Sequence, residues 1–158
     1  MNTECIINTG GVIMPNIYGY ARVSTKNQKE DRQIEALIEN GVTKEDIFID
    51  KESGKDFNRE EYQLLKKILK RTENNILFVK SIDRLGRNYK EILQEWRDLI
   101  KYTDIKVLDM KLLDTTLYKD LLGNFISDLV LQVLSFVAEQ ERTNIKQRQK
   151  ERNWNCES

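Results

Sequence analysis

The chain has 158 residues, and its 26 lysine and arginine residues balance its 26 aspartate and glutamate residues. Because it contains no histidine, His-based triads, His metal sites and His acid–base catalysis are excluded. The two cysteines, Cys5 and Cys156, lie at opposite ends of the chain, which argues against a zinc site or a disulfide framework and favours a reducing, intracellular compartment. The balanced charge neither demands nor excludes a nucleic-acid ligand, since a local basic patch would be enough.

The first elements follow a short N-terminal extension, predicted at residues 1–14. Aromatic and β-branched residues predict a buried strand at 17–23. Apolar residues at helical spacing then predict a helix at 28–40, which Gly41 ends as the residue after its C-cap. A second strand is predicted at 47–49.

Two segments resemble helix capping boxes, in which a polar N-cap side chain is followed three residues later by glutamate. The first pairs Asn58 with Glu61, and the second pairs Asn88 with Glu91. Each precedes an amphipathic helix. Further strands are predicted at 76–79 and 105–108.

The alternation of strands and helices predicts an α/β domain at residues 15–122, with a mainly parallel central sheet flanked by helices. In such sheets, functional groups gather at the carboxyl ends of the strands. Ser24 follows the first strand, and residues 83–87 follow the strand that ends near Lys80. Both sets are therefore expected at one edge of the sheet.

A long helix is predicted at residues 123–152, where the chain lacks proline and its apolar residues surround a narrow polar stripe. One small domain does not need so large an apolar perimeter. We expect one side of the helix to pack on its own domain and the other on a second subunit. The alternative is complete burial in its own domain, but a helix of about 40 Å is longer than such a domain is wide.

The end of this helix is basic, and residues 153–158 form a short tail. The basic side chains suit either a solvated helix end, where the helix dipole favours cations, or an arm that contacts phosphates. Composition leaves these two interpretations about even. The basic residues are Arg142, Lys146, Arg148, Lys150 and Arg152.

Arg22 and Ser24 are two residues apart on a strand, so their side chains share a face. The segment DRLGR at 83–87 adds two guanidinium groups and a carboxylate in one turn, where Gly86 is expected to allow an unusual backbone conformation. Arginines bind phosphate oxygens bidentately and keep their charge, so this cluster beside a serine suits a phosphodiester. Surface arginines with Asp83 as a structural partner are an equally weighted alternative at this point.

The segments YARVST at 20–25 and DRLGR at 83–87 together resemble the serine recombinase family of resolvases and DNA invertases. The similarity runs from about residue 17 to 151, and segments 81–89 and 139–142 are most similar to the Sin-type resolvases. Further matching positions keep their order and approximate spacing: Gln28, Gln33, Asp50, residues 53–54, Arg59, residues 139–142 and Arg148.

The resemblance implies that Ser24 attacks a DNA phosphodiester and gives a 5′-phosphoserine link and a free 3′-hydroxyl. Because the bond energy is stored covalently, no nucleotide cofactor is implied, and no metal. Asp83 would protonate the leaving oxygen or orient an arginine. The residues implied to hold the scissile phosphate are Arg22, Arg84 and Arg87, and those implied to support the site are Gln33 and Arg59.

The resemblance also implies partners: double-stranded DNA, a homodimer formed through the long helix, a tetramer in the synaptic state, and accessory DNA-bending proteins. Arg142, Lys146 and Arg148 would lie toward the DNA, and the protein would act in the bacterial cytoplasm, away from membranes. Family members usually continue into a helix-turn-helix domain, which six tail residues cannot form. A catalytically silent assembly protein and a phosphodiester hydrolase are the competing hypotheses.

Overall fold

The computed structural model describes residues 13–24, 28–52, 59–86, 88–117 and 121–156; within these ranges, side chains are not described at 24, 28–31, 52, 122–123 and 155–156. The strands are β1 (Asn16–Ser24), β2 (Ile47–Glu52), β3 (Asn75–Val79) and β4 (Asp104–Val107). The helices are α1 (Gln28–Glu39), α2 (Glu60–Arg71), α3 (Tyr89–Leu99) and α4 (Leu121–Cys156). Most of the predicted N-terminal extension falls outside these ranges.

The described strands form one parallel sheet in the order β2-β1-β3-β4. The predicted α/β class with a parallel sheet is therefore confirmed. Two of the predicted helix boundaries are also confirmed, the end of α1 and the start of α3. Gly41 adopts a positive φ of 97° just after α1, and the Asn88 side chain accepts the Glu91 amide at 2.9 Å as the N-cap of α3.

The start of α2 differs from the predicted capping box. Its N-cap is Arg59, whose side chain makes no capping hydrogen bond, whereas Asn58 lies outside the described residues. The amides of Glu61 and Tyr62 donate instead to the two carboxylate oxygens of Asp50, each at 3.0 Å. A buried carboxylate from the neighbouring strand thus satisfies amides that the helix leaves unpaired.

The core has two layers, one on each face of the sheet. Successive residues of β1 point to opposite faces, so Tyr20 enters the larger layer and Ala21 the smaller one. The larger layer is covered by α2, α3 and part of α4, and includes Trp96 and Leu131. The smaller layer is covered by α1 through Leu37. Each fully buried large side chain contributes about 1.5–3 kcal/mol of hydrophobic stabilisation.

Helix α4 begins before and ends after the predicted bounds, and its 36 residues span about 54 Å. Its inner side packs on the domain through Ser127 and Leu131, which are buried. Its outer side exposes large apolar side chains, so the alternative of complete burial in its own domain is wrong. These side chains are Leu121, Phe125, Leu129, Val133, Phe136 and Val137. Among the described residues, no helix combines the length and apolar character needed to cross a bilayer.

Candidate active site

The candidate site lies where β1 and β3 end, at the carboxyl edge of the sheet. β1 ends at Ser24, whose backbone lies opposite Glu52 of β2. A 3-10 turn, Ile82–Arg84, follows β3, which is the other neighbour of β1. The parallel strand order therefore brings the turn beside the last residues of β1. The side chain of Ser24 and the whole of Arg87 lie outside the described residues.

Arg22 joins the end of β1 to this turn. Its Nη2 donates to the Asp83 carbonyl at 3.2 Å. In return, Nη1 of Arg84 donates to the Arg22 carbonyl at 3.2 Å, and Nε2 of Gln33 donates to the same oxygen at 3.2 Å. Arg22 and Gln33 are both buried. These contacts fix the backbone of β1 two residues before Ser24.

Arg84 is the more accessible of the two described arginines that meet here, with 23% of its side chain exposed. Its Nη2 lies 3.3 Å from Oδ2 of Asp83, a side chain that is 55% exposed. Its buried Nε has no hydrogen-bond partner among the described residues. The partly exposed guanidinium is suited to receive an anion, which would compete with the Asp83 carboxylate for it.

Arg59 holds the same turn from behind. Its Nη2 donates to the Arg84 carbonyl at 3.0 Å, and its Nη1 donates to the Leu85 carbonyl at 2.8 Å. Its Nε donates to the Tyr20 hydroxyl at 3.3 Å. The guanidinium carbon lies 3.8 Å from the centre of the Tyr62 ring. Arg59 is buried, so its donors face the protein and shape the turn that carries Arg84.

Asp50 is the centre of a buried polar cluster that also includes Tyr20. The Tyr20 hydroxyl donates to Oδ2 of Asp50 at 2.9 Å. Burial raises the pKa of Tyr20 to about 12, although Arg59 opposes this shift. The hydroxyl therefore remains protonated and cannot act as a general base at neutral pH. In the sequence, Tyr20 and Asp50 stand out only as positions that match the family motifs. No pattern in the residues around either of them indicates that the two side chains are in contact.

Gly86 has a different role from the expected one. Among the glycines that the structure describes, a positive φ is found at Gly41 and not at Gly86. A Cβ at Gly86 would instead lie 2.8 Å from the backbone nitrogen of Ile92 and 3.0 Å from its Cγ1. The glycine is needed because the turn approaches the start of α3 too closely for any side chain.

The predicted DNA-binding residues lie on the distal half of α4, where their side chains are exposed. Arg142 lines a groove of about 500 Å³ with Asn88 and Tyr89 at the start of α3. The lining of that groove comes from α3 and α4 and includes none of residues 82–84. Lys146 and Arg148 lie further along α4. Among the described residues, no contact joins any of these three basic side chains to Arg22 or Arg84.

Comparisons with known proteins agree with this geometry. A family model described as "Resolvase, N terminal domain" matches residues 17–155. The chain is 39% identical over 135 residues to a Transposon Tn3 resolvase of Escherichia coli, which covers 85% of this chain and 68% of that protein. It is 38% identical over 135 residues to a Resolvase/recombinase of Pseudomonas putida, with 85% and 70% covered.

A similar solved structure is the N-terminal catalytic domain of TP901-1 integrase, with a TM-score of 0.57, 27% identity, and 81% of this chain and 97% of that chain covered. A resolvase family site-specific recombinase from Streptococcus pneumoniae matches in fold, with a TM-score of 0.53, 23% identity, and 87% and 95% covered. The family match spans most of the chain, including all of the sheet except Asn16 and all of α4 except Cys156. The chain therefore belongs to the resolvase family of site-specific recombinases.

Proposed function

We propose that this chain is the catalytic domain of a recombinase in which Ser24 is the nucleophile toward DNA. The observation that carries the proposal is the convergence of Arg22 and Arg84 on the end of β1 that leads into Ser24. The serine oxygen forms a bond to phosphorus as the bond to the 3′-oxygen breaks. The serine proton is lost, the leaving oxygen gains a proton, and a 5′-phosphoserine and a 3′-hydroxyl result.

The two arginines supply positive charge where the phosphoryl group gains negative charge in the transition state. Arg22 is held against the turn, and the Arg84 side chain is 23% exposed, which leaves it open to a phosphate. Because guanidinium groups stay protonated, this stabilisation does not depend on pH in the working range. Arg87 is proposed to bind the phosphate as well, because it is the last residue of the DRLGR motif at 83–87.

Asp83 is proposed to orient Arg84, because the two side chains are already 3.3 Å apart. The alternative role of Asp83 is protonation of the leaving 3′-oxygen, for which its exposed carboxyl would have to carry the proton itself instead of pairing with Arg84 as a carboxylate. Gln33 and Arg59 are proposed to support the site through the backbone, Gln33 at the end of β1 and Arg59 at the turn. Religation is the reverse of cleavage and conserves the phosphodiester bond, so no nucleotide cofactor is required.

The exposed apolar side of α4 supports a homodimer, since a surface of this kind is normally covered by a partner. We infer that such dimers bind double-stranded DNA, with Arg142, Lys146 and Arg148 toward its backbone. We further propose that dimers pair into a synaptic tetramer with the help of accessory DNA-bending proteins, as the resemblance to serine recombinases implies. The relatives reported above are bacterial, which supports action in a bacterial cytoplasm.

A DNA substrate nicked near the crossover point tests this function, with the chain fused to a DNA-binding module that delivers it to the site. The fragment beyond the nick diffuses away, so a covalent protein–DNA adduct accumulates. Ser24→Ala should abolish the adduct, whereas Ser127→Ala on α4 should retain it. Absence of any adduct from the parent would support a catalytically silent assembly protein, and turnover to free nicked DNA would support a hydrolase.

A further inference from the structure

We propose that Tyr62 of α2 and Glu95 of α3 are positioning residues for Arg59, and through it for the turn that carries Arg84. This inference rests on the proposed function, because its effect is on the rate at which Ser24 forms the DNA adduct. Neither residue lies at the carboxyl edge of the sheet. Both would act through contacts inside the protein.

The pair is joined by a short hydrogen bond. The Tyr62 hydroxyl donates to Oε2 of Glu95 at 2.6 Å, and Nζ of Lys66 lies 2.9 Å from the same oxygen. Tyr62 is almost completely buried. Burial and the adjacent Glu95 raise the pKa of Tyr62, so its hydroxyl remains a donor. The direction of the Tyr62 ring is thus set by a carboxylate on a different helix.

The ring of Tyr62 is one of the contacts that position Arg59, beside its hydrogen bonds and the Glu91 carboxylate, which lies 4.0 Å from Nη1. The guanidinium carbon is 3.8 Å from the ring centre, which is close enough for a cation–π contact as well as packing. The Tyr20 ring packs on Tyr62 at 4.9 Å between centres. The Tyr62 ring is therefore held between two neighbours. A rotation or shift of this ring has to move the guanidinium against it.

Arg59 transmits this position to the site through its two carbonyl acceptors, Arg84 and Leu85. The Arg84 guanidinium then reaches the Arg22 carbonyl on β1. A small displacement at the tyrosine is thus carried to an arginine that holds the phosphate. Misplacement of catalytic groups by about 1 Å can cost roughly 100-fold in rate, so even a partial shift is measurable.

The Tyr62–Glu95 contact could also matter only because it holds α2 and α3 together. A nearby ion pair between the same two helices provides a control for that purely structural role. Lys66 also binds Oδ2 of Asp98, at 2.8 Å, and this second ion pair links the same two helices. Asp98 makes no described contact with Tyr62. Asp98→Asn therefore weakens the link between α2 and α3 while leaving the Tyr62–Glu95 hydrogen bond itself in place, and it removes the same charge as Glu95→Gln. Any effect it has on the path to Arg59 is indirect, through Lys66.

The test measures adduct formation at saturating nicked DNA, using the full chain on the same DNA-binding module. Tyr62→Phe and Glu95→Gln should each lower the rate by about 10-fold without changing the dissociation constant for DNA. The double variant should be no slower than the slower single variant, because both changes act on one contact: phenylalanine removes its donor, and glutamine weakens its acceptor. Asp98→Asn should keep the parent rate of adduct formation, even if its melting temperature falls as far as those of Tyr62→Phe and Glu95→Gln.

A second measurement reports on Arg59 directly and needs no activity. The Nε–H signal of Arg59 in a nitrogen–proton NMR spectrum should shift in Glu95→Gln, which keeps the aromatic ring of residue 62 but loosens the contact that sets its direction. The signal should stay nearly unchanged in Asp98→Asn. An unshifted signal, or a rate loss equal to that of Asp98→Asn, overturns the inference. If the parent forms no Ser24-dependent adduct while the signal still shifts, the proposed function fails and the contact path to Arg59 stands.

Discussion

Replacement of Asp50 by asparagine should destabilise the domain far more than its small change in shape suggests. The buried carboxylate accepts from the Tyr20 hydroxyl and from the backbone amides of Glu61 and Tyr62. Asparagine keeps one acceptor oxygen and replaces the other with an NH2 group. At least one of the two amides at the start of α2 would then face a donor.

The size of the loss follows from these contacts. A buried donor left without an acceptor costs about 1–3 kcal/mol, and weakening of a hydrogen bond to a charged acceptor adds to this, so we expect a total of about 2–4 kcal/mol. Loss of an N-cap alone would cost only about 1 kcal/mol. The expected value is a large part of the roughly 5–15 kcal/mol that stabilises an ordinary domain.

Urea unfolding of Asp50→Asn and the parent measures this difference. With a slope of about 2 kcal/mol per molar urea, the middle of the usual range, the midpoint should fall by about 1–2 M. The matched control is Asp109→Asn, which breaks an ion pair with Lys80 through a carboxylate that is 52% exposed. That change should stay within about 1 kcal/mol of the parent. Equal midpoints for the two variants would refute the proposed role of Asp50 as the cap of α2.

Gly86→Ala should place a Cβ against the backbone of Ile92, lower the free energy of unfolding by about 1–3 kcal/mol through overpacking, and slow adduct formation. An unchanged rate would contradict the close approach of the turn to α3. The hydrogen bond from Lys66 lowers the pKa of the Asp98 carboxyl, so the stability it contributes is present above the unfolded pKa and is lost as pH falls through the lower folded pKa. Asp98→Asn should therefore flatten the acid limb of a plot of unfolding free energy against pH, and an unaltered slope would count against this ion pair. Phe136→Asp should remove about 1.5–3 kcal/mol of apolar burial from each of the two copies in the dimer. Together the two losses weaken dimer affinity by roughly 10²–10⁴-fold, so light scattering over a concentration series should detect the monomer. A parent that is monomeric at every concentration would refute the dimer.

The order of elements could be predicted because each has a local signal. The aromatic and β-branched residues of β1 predict a strand, and Asn88 followed three positions later by Glu91 predicts the N-cap of α3. The parallel sheet then follows from the alternation of strands and helices. These features depend on neighbours in sequence, which is why the predictions for them were right.

The cluster behind the site could not be predicted, because its members are distant in sequence. Tyr20, Asp50 and Arg59 meet only when β1 and β2 pair and α2 packs on them. Locally, Asn58 with Glu61 looked like a complete capping box, so nothing suggested that a strand residue would supply the acceptor. The need for Gly86 likewise depends on where α3 lies.

The contacts around the turn end on backbone carbonyl oxygens, which has a consequence for sequence variation. The oxygens of Arg22, Arg84 and Leu85 receive the side-chain donors that bind the turn to its surroundings. Every residue type carries that oxygen, so a change of the Leu85 side chain leaves the acceptor intact as long as the backbone path is kept. As acceptors, these three positions therefore place no demand on the identity of their side chains. What constrains Arg22 and Arg84 is the donors that their own guanidinium groups supply, and what constrains Leu85 is its burial in the core.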